Sequence, residues 1–343
     1  MKRQARLSMR DVALHAQVSV GTVSHVVNHP DRVQPKTRQR VEEAIAELGW
    51  VPNPQARALR SGRSRTVGIA VMDVANPFFA DLLRGAQARF EEAGYTATIG
   101  DADNRLAREA HLLRSFLGQR LSGVILGPIG ALPPEVAALT DAGVPTVLVD
   151  RIGGEDCCTI GVDDIAGGHL AGEHLVETGH RRIAFVGGPA ELPQVTQRLT
   201  GLQRACRNGG VEVIEVPTPT LDFPSGREAA DRIAAMDPAS RPTGVLCAND
   251  LVAIGMLQGC VAHGLRVPDD IALVGYDDIE FAAAAAVPLS SVAQPRRDLG
   301  IRAADLLLQE IEDRNEGREH THRQVVLDPH LVVRASSGIP ATD

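Results

Sequence analysis

Polar and aromatic side chains recur just after short apolar runs throughout residues 66–343. Asn76, Phe78 and Phe79 (N-P-F-F) follow T-V-G-I-A-V-M, Asp150 and Arg151 follow V-L-V, Asn249 and Asp250 follow V-L-C-A, Asp277 follows L-V-G-Y, and Gln294 follows S-V-A. Arg198 lies in the helix-like stretch after F-V-G-G-P, and Phe223 follows P-T-P-T-L-D. Carboxylates, amides and guanidinium groups can each bond two hydroxyls at once, and aromatic faces stack on ring C–H groups, so this set suits a small sugar ring. Singly, each residue has a structural alternative: Phe78 and Phe79 as core, Asp150 and Arg151 as an ion pair, Asn249 as a helix cap. Only seven phenylalanines exist in the chain, and three of them fall at these positions, which favours a collective role.

The elements that must position these residues are legible in the same stretch. From Thr66 onward, β-branched runs (T-V-G-I-A-V-M, Y-T-A-T-I-G, P-T-V-L-V, R-I-A-F-V-G, G-V-L-C-A, I-A-L-V-G-Y) alternate with amphipathic helical segments such as Pro77 to Ala93 and Arg105 to Gln119. That alternation is the signature of parallel sheets covered by helices on both faces. The region is too long for one such sheet, so two similar lobes are expected. Ligands of open α/β sheets bind outside the carboxyl ends of strands, where the polar residues fall.

The amino-terminal segment has different chemistry. Residues 1–65 carry 12 Lys and Arg against 5 Asp and Glu, a balance of +7, although the whole chain is −8; the remainder is therefore −15. A basic module that seeks a polyanion is joined to an acidic body that does not. Val12, Ala13 and Ala16 lie on one face of a helix starting near Arg10, Ser19 can cap a second helix over Val20 to Asn28, and Pro35 opens a third with the stripe Val41, Ile45, Leu48, closed by Gly49. Three short helices around one small core make a helix-turn-helix unit, whose second helix enters the major groove of DNA.

The run R-D-V-A-L-H-A-Q-V-S-V-G-T-V-S-H-V-V-N from Arg10 to Asn28, with K-T-R-Q-R-V and L-G-W-V-P-N-P after it, closely resembles the lactose-repressor (LacI/GalR) family. The resemblance implies an α plus α/β protein. It has a helix-turn-helix headpiece over residues 1–51 and a hinge helix with linker over 52–65. A two-lobed, periplasmic-binding-protein-like effector and dimerisation domain covers 66–343, with lobe 1 near 66–163 and 293–324 and lobe 2 near 164–292 and 325–340. It also implies that Val20, Gly21 and His25 face base edges while Thr22, Ser24 and Asn28 support or touch the backbone. In the hinge, Leu59 fits a minor-groove wedge, Ala56 the close approach, Arg57 a phosphate contact, and Asn53 a cap. Two departures stand out. Valine can meet a thymine methyl and histidine can donate to guanine, but Gly21 reads nothing directly, so the operator should differ from that of the lactose repressor. Gln17 replaces the usual turn glycine, and a left-handed backbone there would cost up to ~1 kcal/mol.

By the same resemblance, Asn76, Phe78, Phe79, Asp150, Arg151, Arg198, Phe223, Asn249, Asp277 and Gln294 match the shell that ribose-binding members of the fold place around a pentose. The expectation is a transcriptional repressor controlled by a ribose-like pentose or another compact monosaccharide, with a nucleoside or purine effector as the alternative. Its partners would be a palindromic double-stranded DNA operator and a second copy of the chain as a homodimer. A lactose-repressor-style tetramer is not expected, because no leucine heptad tail follows L-V-V-R-A-S-S-G-I-P.

Other classes fit poorly. No G-x-G-x-x-G, G-x-x-x-x-G-K-[ST] or G-x-S-x-G motif is complete, so no catalytic residue and no cofactor is expected and a sugar-modifying enzyme is the weaker reading. A purely architectural DNA-binding protein would need no polar cleft. The five cysteines form no C-x-x-C pair and read as buried thiols; His320 and His322 read as solvated loop residues, with no metal site expected. No apolar run approaches the ~20 residues of a membrane span, and the basic start leads into no signal-peptide core, so the expected location is cytoplasmic, without a membrane partner.

Overall fold

The first helix, α1 (Met9–His15), starts where the Ser8 backbone N–H and hydroxyl both donate to the Asp11 carboxylate at 2.7 Å. After a tight turn, α2 (Val20–Asn28) is capped by Ser19, whose Oγ accepts the Thr22 N–H at 3.0 Å. A 3-10 turn (Pro30–Arg32) leads to α3 (Pro35–Leu48), which begins on proline and ends at Gly49 in the left-handed conformation, φ 60°. Val12, Ala13 and Ala16 meet Val23 and Val26 of α2 and Val41, Ala44 and Trp50 in one buried cluster. The computed structural model describes residues 7–28, 30–50, 64–154, 156–207 and 210–338; the expected hinge, with Asn53, Ala56, Arg57 and Leu59, lies outside the described residues. Residues 1–64 and 65–343 form two separate compact units.

The turn between α1 and α2 holds Gln17 at φ 51°. A side chain is strained there and glycine is not, although glycine also adds freedom to the unfolded chain. Gln17→Gly should therefore stabilise the first unit, by no more than ~1 kcal/mol. Trp50 is the chain's single tryptophan and is buried in this unit's core, so urea unfolding followed by its fluorescence reads the change directly.

In the second unit, the alternation of apolar runs and amphipathic stretches resolves into β1 (Thr66–Val71), α4 (Pro77–Glu92), β2 (Thr96–Asp101), α5 (Leu106–Gly118), β3 (Val124–Leu126), α6 (Pro134–Asp141), β4 (Thr146–Val149) and β5 (Cys158–Val162). Then follow α7 (Asp164–Glu177), β6 (Arg182–Gly187), α8 (Pro193–Arg207), β7 (Glu212–Pro217), α9 (Phe223–Ala234), β8 (Gly244–Cys247), α10 (Asp250–Ala262), β9 (Ala272–Asp277), α11 (Glu280–Ala284) and β10 (Ser290–Ala293). The chain closes with α12 (Arg296–Asn315), β11 (Gln324–Leu327) and β12 (His330–Val332). Two six-stranded sheets result, ordered β11-β5-β4-β3-β1-β2 and β12-β10-β9-β8-β6-β7, parallel except where β12 runs against β10.

The chain crosses between the sheets three times: after β5, after β10, and between β11 and β12. The third crossing falls after Leu327, which corrects the boundary expected at 324/325. Residues Gln324–Leu327 pair in parallel register with Thr159–Val162 in the first sheet, and Val325 and Leu327 pack on the buried core. The run V-V-L states that a strand forms but not which of two sheet edges accepts it. Among the described residues, no helix is long and apolar enough to cross a membrane.

Helices α7 and α8 approach unusually closely, and two glycines permit it. A Cβ at Gly168 would lie 2.0 Å from the Arg198 carbonyl oxygen, and one at Gly201 2.1 Å from that of Ile165. No side chain fits at either position, and the contact sets the first turn of α7, with Asp164, against Arg198 on α8.

Candidate DNA-facing helix and ligand cleft

Helix α2 buries Val23 and Val26 and turns Val20, Gly21 and His25 outward. Thr22 and Ser24 are half-buried beside them, and Asn28 is the last helical residue. The Thr22 hydroxyl shares a 2.9 Å hydrogen bond with Ser19 Oγ at the start of the helix, where free backbone amides can hold a phosphate. Both apolar and donor groups are thus presented on one face, as reading base edges in a major groove requires.

The second unit has a cleft between its sheets that encloses about 350 Å³ of open space, lined from one side by Asp150, Arg151, Ile152, Gly161 and Val162 and from the other by Asp164, Pro193, Gln194 and Gln197. Asp150 and Arg151 leave β4 through a left-handed residue, Asp150 at φ 59°. Gln194 reaches across from α8, donating to Asp150 Oδ2 at 3.3 Å and approaching Met72 Sδ at 3.9 Å. Four residues along, and so on the same helix face, Arg198 is only 3% exposed. Its Nε donates to Asp164 Oδ1 at 2.8 Å, its Nη1 donates to the Ala248 carbonyl at 2.6 Å, and its guanidinium lies 3.7 Å from the Tyr276 ring centroid. Asp277 stands 3.9 Å from Arg198 Nη1 and accepts from Gln294 Nε2 at 2.7 Å.

Three carboxylates thus surround one buried cation. Burial pushes the Asp150 carboxyl up to about 8, with Asp164 adding to the rise and Arg198 opposing it. Asp277 is raised to about 6, again by burial, against Arg198 and the Gln294 hydrogen bond. Burial works against the Arg198 charge, but Asp164, Tyr276 and Asp277 more than offset it and hold the guanidinium ionised. An unfolded aspartate ionises near 3.8, so between that value and about 8 the folded state keeps a proton on Asp150 that the unfolded chain has released. Stability of the ligand-free body should therefore fall as pH rises through this window, with Asp277 adding the same sign up to about 6. Chemical denaturation at a series of pH values should show this slope, and Asp150→Asn should flatten its upper part.

The remaining expected residues are placed otherwise. Asn76 caps α4, accepting the Phe78 N–H at 3.0 Å, and Asn249 caps α10, accepting from Val252 at 2.9 Å while donating to the Leu221 carbonyl at 3.1 Å. Phe78 and Phe79 are 3% and 2% exposed and pack edge to face, 5.0 Å between centroids, inside the core. Phe223 opens α9 and is 38% exposed. Neither it nor the phenylalanine pair lines the cavity.

Sequence reasoning missed Asp164, Gln194, Tyr276 and Arg296. Asp164 follows a strand end, as the other carboxylates do, and Gln194 precedes Arg198 by one helical turn, so both had a signal. Arg296, at the start of α12, donates to Asp81 Oδ2 on α4 at 3.0 Å and to the Asp277 and Asp278 carbonyls, joining the two lobes beside the cleft. His320 and His322, expected as solvated loop residues, are placed differently: His320 is half-buried and only His322 remains exposed. The segment after α12 folds back so that both rings stand beside Cys158 and Glu310.

Residues 8–53 match the family described as bacterial regulatory proteins, lacI family, and residues 173–337 match a periplasmic binding protein-like domain. The chain is 31% identical over 341 residues to the HTH-type transcriptional repressor CytR of Escherichia coli K12, covering 98% of both chains. It is 34% identical to the transcriptional regulator CelR in a cellobiose complex, with a TM-score of 0.72 over 96% of this chain and 100% of that one. A lac repressor dimer bound to operator and the anti-inducer ONPF superposes with a TM-score of 0.81 at 28% identity, covering 96% of this chain and 98% of that one.

Proposed function

The chain belongs to the lacI family of bacterial regulatory proteins, and from that premise we propose that it represses transcription from a specific operator under the control of a small neutral sugar held in the cleft. It is a LacI-type DNA-binding transcriptional repressor with an effector-binding body. The observation that carries the choice of effector is the cavity lining. Asp150, Asp164, Arg151, Gln194 and Gln197 offer planar donors and acceptors from both lobes. Among the described residues lining the cavity none is aromatic, which suits a compact polyol better than a stacked purine. The Asp164 and Asp277 carboxylates disfavour an anionic ligand, and the protonated Asp150 carboxyl can both donate to and accept from a neutral one. A relative solved with cellobiose supports the sugar class. Within that class the reading is a ribose-like pentose or another compact monosaccharide.

Bound sugar would replace the Gln194–Asp150 contact with bonds to both lobes and draw them together, shifting the first lobe of each subunit in a homodimer. The dimer would place two copies of α2 on the half-sites of a near-palindromic operator. In the cytoplasm, where that DNA lies, the lobe shift would change operator affinity, and linkage requires the operator to change sugar affinity by the same factor. The test is thermal unfolding of the full chain with pentoses, hexoses, cellobiose, nucleosides and purines, since a specific ligand raises the transition by mass action. A pentose or monosaccharide should raise it; a rise with nucleosides alone would transfer the site to that class, and a flat response to all would overturn the reading.

A further inference from the structure

At the other end of β5 from the cleft, four side chains converge from three elements: Cys158 at the start of the strand, Glu310 on α12, and His320 and His322 on the segment leading into β11. Their candidate ligand atoms all lie within 4.8 Å of one another. Cys158 Sγ is 3.3 Å from His320 Nε2 and 3.8 Å from His322 Nδ1, while Glu310 Oε2 is 3.8 Å from His320 Nε2 and 3.9 Å from His322 Nδ1. Donors held tetrahedrally at zinc–ligand bond lengths stand about 3.3–3.8 Å apart. Three of these separations are too long for good hydrogen bonds and lie at or just beyond the long edge of such a tetrahedron, within the small adjustment a bound cation would impose.

We propose that Cys158, Glu310, His320 and His322 form a binding site for a divalent transition cation of the zinc class. Glu310 Oε2 is buried without a hydrogen-bond partner, an acceptor that a cation would satisfy. The surroundings are those of a metal site: Asp313 Oδ2 accepts from His320 Nδ1 at 2.8 Å, fixing that ring so that Nε2 faces the centre, and the Arg323 N–H donates to Cys158 Sγ at 3.3 Å. One thiolate, two imidazoles and one carboxylate select zinc over magnesium or calcium. The thiol proton leaves to solvent as the S–metal bond forms. Cys157, the neighbouring thiol, points into a different core cluster and contributes nothing. Occupancy ties the carboxyl half of α12 to β5, while Arg296 at the other end of the same helix joins the two lobes.

The test uses the full chain without a polyhistidine tag, stripped with a chelator and titrated with Co²⁺ alone. One Co²⁺ per chain should bind, with a near-ultraviolet thiolate-to-cobalt band and visible bands of tetrahedral intensity, both erased by Zn²⁺. Cys158→Ser should lose the thiolate band. His322→Ala, at an exposed position, should keep the wild-type circular dichroism and lower Co²⁺ affinity at least tenfold, and Asp313→Asn should lower it by about 10–100-fold. Absence of stoichiometric binding, a thiolate band surviving in Cys158→Ser, or wild-type affinity in His322→Ala would each overturn the proposal.

Discussion

Replacing Arg198 with methionine should destabilise the effector-binding body by about 3–5 kcal/mol and abolish its response to sugar. The apolar volume is roughly kept, so the loss is electrostatic. Arg198 is the cation at 2.8 Å from Asp164 and 3.9 Å from Asp277, and its removal leaves buried carboxylates facing one another. They would answer by taking up protons, so the deficit should shrink as the pH falls toward 5, where Asp277 is protonated more often than not. Arg198→Lys should rescue only part of the loss. An ammonium can pair with Asp164, but it cannot also bond the Ala248 carbonyl and lie flat on Tyr276. Urea unfolding followed by far-ultraviolet circular dichroism measures the body, while Trp50 fluorescence gives an internal control, because the first unit should unfold at its wild-type midpoint.

His25→Ala should weaken specific operator binding by about 1–3 kcal/mol per half-site, between roughly fivefold and 150-fold. His25 is exposed on the outer face of α2, two residues from Val23 in the core, so truncation is expected to remove a base-reading group while the buried cluster of the unit stays in place. The salt dependence of binding should be unchanged, since the counterion term belongs to the lysines and arginines that meet phosphates. Binding to non-specific duplex should also stay at the wild-type value. A loss that appeared equally on specific and non-specific DNA would assign His25 to the backbone instead of to bases.

The fold was legible to different depths along the chain. Capping residues and glycines are strong local signals, so Ser19, Pro35 and Gly49 marked helix ends where the structure has them. β-branched apolar runs between helical stretches pointed to the two sheets, but the edge to which Gln324–Leu327 attaches is decided by pairing across 165 positions, Thr159 with Gln324, which no local pattern reports. The cleft was legible where position decides chemistry: Asp150 and Arg151 line it because they leave strand ends. The same residue types after strands also serve the backbone. Asn76 and Asn249 also sit after strands, yet their amides are engaged in capping helices, and Phe78 and Phe79 face inward from the first turn of α4. The cluster of Cys158, Glu310, His320 and His322 had no sequence signal, because its members are up to 164 residues apart and meet only through the fold.

The central claim is that the cleft and the operator are coupled through the full chain. It is tested by measuring operator affinity of the dimer at fixed salt, without sugar and with the monosaccharide that raises the thermal transition present at saturation. The affinity should change by at least about fivefold, and saturating operator should change sugar affinity by the same factor. Equal operator affinity with and without bound sugar would contradict the account.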